Sequence, residues 1–143
     1  MADIFIHIPK TGGSSIYKAV YPDIIRYKKH ETGLFVKDSI SPEEWDNAYK
    51  VAWVRNPWQR VVSLWKWTKK WDNHNYEEFK PWLFDPQVNR EYMCEDTPYN
   101  RSPLPALTYL ADLKGNLLVD FIGKLESWGY FFAPTMCYWD NMI

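Results

Sequence analysis

The chain has 143 residues, 46% hydrophobic and 24% charged, enough for one domain with a sizeable core and too apolar for a disordered segment. Its formal net charge of −1 argues against general nucleic-acid binding, so any anion site must be a local concentration of positive charge. No apolar run approaches the length of a membrane span, nothing before the first strand reads as a signal peptide, and Cys94 and Cys137 stand far apart without metal spacing. The expectation is a reduced, cytoplasmic protein with no membrane partner, no nucleic-acid partner and no metal.

Residues 3–8 form the first apolar run and predict a buried strand. It leads directly into Pro9-Lys10-Thr11-Gly12-Gly13-Ser14-Ser15, and this order builds an anion cradle. Gly12 and Gly13 allow a tight turn, and the N–H groups opening a helix over 14–20 point at whatever sits there. Lys10 adds a mobile charge, while Thr11, Ser14 and Ser15 add hydroxyl donors. The segment is not a Walker A loop, in which glycine precedes a Gly-Lys-Ser/Thr ending; here the lysine comes first.

A second short strand is expected over 24–27, followed by His30-Glu31-Thr32-Gly33. Ser41-Pro42-Glu43-Glu44 starts a helix, with Ser41 as N-cap, Pro42 at the first helical position and acids in the first turn. A third strand over 51–55 ends on Arg55. Asn56 then caps a helix that Pro57 opens and that runs to about Trp71. Ser63 lies about two turns into this helix, so Arg55 and Ser63 can approach one anion from different elements. Beyond it, 76–83 has helical character, but Pro81, Pro86, Pro98, Pro103 and Pro105 divide the region into short pieces. A fourth strand is expected over 117–122.

Strands alternating with helices imply an α/β fold whose short, mainly parallel central sheet is flanked by helices. Ligands of such sheets bind beyond the carboxyl ends of the strands, where both anion-binding segments fall. Two anion sites on adjacent strand ends point to a ligand with two separated anionic groups.

With these residues in view, the chain resembles the PAPS-dependent sulfotransferases. The Pro9 to Ser15 segment looks like their 5′-phosphosulfate loop. Arg55-Asn56-Pro57 with Arg60 and Ser63 looks like their 3′-phosphate segment. A third stretch is similar to the carbohydrate, membrane-type and bacterial branch. It runs from Ser102-Pro103 through Tyr109-Leu110-Ala111-Asp112 and Gly115 to the run from Val119 to Glu126. The resemblance implies a single domain with a P-loop-like, three-layer fold. It also implies sulfuryl transfer from 3′-phosphoadenosine 5′-phosphosulfate (PAPS) to a hydroxyl or amine of a small-molecule or glycan acceptor. Lys10 would stabilise charge on the leaving group. Lys10, Thr11, Gly12, Gly13, Ser14 and Ser15 would hold the 5′-phosphate, with Arg55 and Ser63 on the 3′-phosphate. No metal is needed. A binding-only protein for PAPS or its product PAP, and a nucleotide kinase using the same cradle, are the alternatives.

Transfer to a hydroxyl benefits from a base. His30, after the second strand, is the candidate, with Glu31 as the alternative. His7 lies within the first strand and reads as packing, and His74 as a solvated loop residue. Arg60 reads as a brace of its segment or of the cofactor, or as a surface arginine, while Glu126 has no assignable role. Trp58 is a candidate cover for the adenine. Trp65, Trp67 and Trp71, with Lys66, Lys69 and Lys70, read first as a packed helix with solvated lysines and second as a substrate surface. The sequence stops at Ile143, soon after the third stretch, whereas larger relatives continue. A minimal enzyme, a truncated one, and one completed by a second copy in a homo-oligomer are the three expectations.

Overall fold

Asp3-Ile4-Phe5-Ile6 is an almost uninterrupted apolar run, the pattern of a strand covered on both faces, and it forms β1 (Asp3–Ile6) at the centre of the sheet. The computed structural model describes residues 3–20, 24–25, 30–71, 78–85 and 104–127. β1 pairs in parallel with β2 (Ile24–Ile25) on one side and with β3 (Lys50–Val54) on the other, and β3 pairs in parallel with β4 (Phe121–Lys124). The order is therefore β2-β1-β3-β4. The central strands are buried almost throughout, whereas β4 alternates and turns Ile122 and Lys124 outward, as suits an edge.

Strand alternation separates two cores. Ile4, Ile6 and Ala52 join a cluster with Val36 of α2 (Gly33–Ser39), Trp45 of α3 (Pro42–Asn47), and Tyr109 and Leu110 of α6 (Ala106–Leu110). Phe5, Val51 and Trp53 point the other way and pack with Ile16 of α1 (Gly13–Val20). A third cluster joins α4 (Pro57–Trp71) to α5 (Phe79–Phe84) through Leu64 and Trp82. These are the features of a mixed α/β protein with an open parallel sheet.

The expected helix starts after Ser41 and Asn56 hold, whereas the helix expected over 76–83 begins only at Phe79. Ser41 caps α3 by accepting from the Glu44 N–H at 3.1 Å, and Pro42 opens it. Pro81 does not break α5, because it lies in the first turn, where its missing N–H has no helical partner to lose. Two helices had no counterpart in the sequence reading: α2, capped by Thr32, and α6, which follows Pro105.

Strand limits need correction. The ladder of β1 ends at Ile6; His7 and Ile8 are buried but lie beyond it. The expected second strand covers Ile24–Ile25, and 26–29 lie outside the described residues. The expected fourth strand over 117–122 is displaced toward the carboxyl end. Leu117 makes an isolated antiparallel bridge with Ala111, Leu118 turns into the core, and the chain joins β3 only from Phe121. Asp120 explains the delay. Its carboxylate accepts from the Lys50 N–H at 2.8 Å and its own N–H donates to the Lys50 carbonyl at 2.8 Å, which docks the chain just before the ladder begins.

Candidate functional site: two anion-binding segments at adjacent strand ends

Beyond β1 the chain stays buried through Pro9 and then reverses at Lys10 and Gly12, whose φ values are +64° and +74°. A left-handed backbone suits glycine but costs a lysine on the order of 1–2 kcal/mol. Three contacts hold the turn against that cost. The Thr11 hydroxyl donates to the Ile8 carbonyl at 2.8 Å, Arg60 Nε donates to the Pro9 carbonyl at 2.9 Å, and Arg55 Nη1 reaches the Lys10 carbonyl at 3.5 Å. The Thr11 side chain is fully buried, so its proton serves the turn rather than a ligand.

The first hydrogen bonds of α1 run from the Ser15 and Ile16 N–H groups to the Gly12 carbonyl, at 3.0 and 3.1 Å. The Gly13 and Ser14 N–H groups precede them and face the open, positive end of an eight-residue helix. Ser14 and Ser15 are exposed there. Gly13 admits a close approach: a Cβ at this position would collide with the His7 ring. The turn expected at 9–15 brings backbone N–H groups, serine hydroxyls and Lys10 together at the start of α1.

The second segment starts where β3 ends. Asn56 caps α4, its Oδ1 accepting from the Trp58 N–H at 3.0 Å and the Gln59 N–H at 3.3 Å. The Asn56 N–H in turn donates to Glu126 Oε1 at 2.5 Å, from the short 3-10 turn Leu125–Ser127 that follows β4. Glu126 thus gains a role: it fastens the start of α4 to the end of the neighbouring strand. Arg55, just before this cap, is half-buried, and its buried Nε has no hydrogen-bond partner among the described residues. Ser63 is half-buried two turns along α4.

Arg60 is not a surface residue. Only 8% exposed, it donates through Nε to Pro9 and through Nη1 to the Leu104 carbonyl at 2.7 Å, with its guanidinium 5.9 Å from the Tyr109 ring. Burial lowers its pKa, with Tyr109 partly opposing the shift, and an arginine remains charged regardless. The brace of its segment is the reading that fits.

Lys10, Gly12, Gly13, Ser14, Ser15 and Arg55 come together at the carboxyl ends of β1 and β3. The Lys10 ammonium lies over the Trp67 ring at 5.5 Å, so Trp67 touches the cradle as well as packing in the α4–α5 cluster. Trp65 packs against Phe79, as a packed helix requires. His30 is half-buried with φ +69°, and its ring meets that of His7 edge-on at 4.8 Å. His7 is buried and stacked on Phe5, as its packing role requires, and through Gly13 it links His30 to the start of α1. Glu31 is buried. Trp58 stands 78% exposed on the first turn of α4. Cys94, Cys137, His74, most of the proline-rich stretch and the side chains of Lys70 and Trp71 lie outside the described residues.

A separate groove of about 550 Å³ lies between α2 and α6, lined by Leu34, Leu107, Thr108 and Asp112 among others, and shares no residue with the cradle. Among the described residues no helix is long and apolar enough to cross a membrane. Compared with family models, curated proteins and solved structures, the chain has no match.

Proposed function

We propose that this chain is a PAPS-dependent sulfotransferase with a P-loop-like, three-layer α/β fold, moving a sulfuryl group to a hydroxyl or amine of a small-molecule or glycan acceptor. One observation carries the reading: Arg55 reaches the carbonyl of Lys10 while its buried Nε has no partner among the described residues. A buried guanidinium donor without a partner is costly unless an acceptor arrives, and a phosphate offers several. That donor belongs to the residue that touches the cradle, so the two anion-binding segments serve one ligand.

In this reading the Gly13 and Ser14 N–H groups, with the Ser14 and Ser15 hydroxyls, hold the 5′-phosphate. Arg55 and Ser63 hold the 3′-phosphate. PAPS supplies an activated sulfuryl group whose bond to the phosphate oxygen breaks as the acceptor oxygen or nitrogen bonds to sulfur. Lys10 leaves the Trp67 ring and places its ammonium on the departing oxygen, where negative charge develops. Exchanging a partly exposed cation–π contact worth about 0.5–1 kcal/mol for a charged hydrogen bond is favourable. His30 takes the acceptor proton, with Glu31 the alternative. The protein's contribution is positioning and electrostatics.

The test is thermal stabilisation by nucleotides followed by transfer from labelled PAPS. PAP at about 100 times its Kd should add about 2.7 kcal/mol of stability, and ATP, lacking a 3′-phosphate, much less. Lys10→Ala should abolish transfer to a panel of glycans and small alcohols. A larger shift with ATP than with PAP refutes the proposal, and PAP binding without any turnover reduces it to a binding protein.

A further inference from the structure

Arg60 is buried deeply for an arginine, and it donates hydrogen bonds to main-chain carbonyls of two different segments. Nε holds Pro9, one residue before Lys10, and Nη1 holds Leu104, two residues before α6. Behind it lies Tyr109, fully buried in the core. Arg60 itself is fixed in the first turn of α4, its N–H donating to the Asn56 carbonyl at 2.9 Å. A planar fork with donors in divergent directions can make both contacts at once; an ammonium on a flexible stem cannot hold the same geometry.

The consequence is a fixed spacing. Consecutive carbonyls of the cradle turn, Pro9 and Lys10, are held by two arginines of one short segment, Arg60 and Arg55. That segment also begins the helix carrying Ser63, three residues beyond Arg60 and hence on the same side of α4. The 5′ half-site is therefore fastened directly to the 3′ half-site rather than only through the sheet. We propose that Arg60 is a positioning residue that sets the distance between the two phosphate half-sites, and so determines selectivity for a nucleotide carrying both phosphates over one carrying only the 5′-phosphate. The proposal rests on the two-phosphate reading above and makes a separate claim within it.

The experiment compares affinities for PAP and AMP by calorimetry in the wild type, Arg60→Met and Arg60→Lys, with Tm recorded for each. Wild type should prefer PAP by on the order of 10–100-fold, the value of an added charged phosphate contact. In Arg60→Met the AMP affinity should change less than about threefold, while the PAP preference falls by about tenfold or more. Arg60→Lys, which keeps the charge and can reach one carbonyl, should fall between them, and it carries the test if the methionine variant does not fold. A lowered Tm with an unchanged PAP-to-AMP ratio would overturn the spacing role and leave Arg60 a stability residue. A wild type that does not distinguish PAP from AMP removes the two-phosphate site itself, and the proposal with it.

Discussion

Gly13 joins the cradle to the histidine pair through the absence of one carbon. Its Cα sits against the His7 ring, which is itself held between Phe5 and His30, so an added Cβ has nowhere to go unless the imidazole moves. Gly13→Ala should therefore destabilise the fold by about 1–3 kcal/mol, the usual cost of overpacking. Ser14→Ala, one residue on and exposed, should stay within about 0.5 kcal/mol. Urea denaturation of both variants checks the contrast, and equal stability would show that His7 has room to shift. The glycines and hydroxyls were legible at this scale because turn and helix-start chemistry is local. The left-handed Lys10 was not, since lysine has no preference for that region and the turn is held by contacts from Thr11 and the distant Arg55 and Arg60. Nor could sequence separate the three hydroxyls: Thr11 spends its proton on Ile8, whereas Ser14 and Ser15 face outward.

The start of α4 shows what a longer view adds. Asn56-Pro57-Trp58-Gln59 has the form of a capping box, in which Gln59 would reach back to the Asn56 N–H. That N–H is instead taken by Glu126, seventy positions along the chain. The cap and the proline were readable in sequence; the partner was not, because it depends on where β4 docks. The same distant docking displaced the expected fourth strand. Leu117-Leu118-Val119 is a good strand former locally, yet the Asp120–Lys50 contacts delay entry into the sheet until Phe121. Glu126→Ala should cost about 1 kcal/mol for the lost charged acceptor at an exposed cap. It should also loosen Arg55, the next residue before Asn56, and weaken PAP more than AMP. Calorimetry with both nucleotides reads this, and equal weakening of the two would separate the cap from the 3′ half-site.

Across the whole molecule the two ends of the sheet divide their tasks. The carboxyl ends of β1 and β3 carry a left-handed lysine, set over the Trp67 ring, and a buried Arg55 donor with no partner among the described residues, features that weaken a fold unless a ligand uses them. At the amino end of β3 the polar groups satisfy one another. The Lys50 ammonium donates to the Ala48 and Trp45 carbonyls at 2.8 and 3.3 Å and pairs with Asp120 at 3.2 Å, while the Lys50 N–H donates to the same carboxylate. Asp120 is partly exposed, so the ion pair itself contributes modestly. Its removal leaves a main-chain N–H in a sheet without its acceptor, and Asp120→Ala should cost on the order of 1–3 kcal/mol. For a chain of this size that lowers Tm by about 3 °C per kcal/mol. The added stability from saturating PAP should remain as in the wild type, because the ligand contacts lie at the other end of the sheet and the shift depends only on ligand concentration relative to Kd. Arg60→Met should do the reverse in one respect, losing PAP selectivity whatever its effect on Tm. A reduced PAP increment in Asp120→Ala would mean that β4, which carries Asp120 at its entry and Glu126 just past its end, transmits strain along its length to the cap of α4.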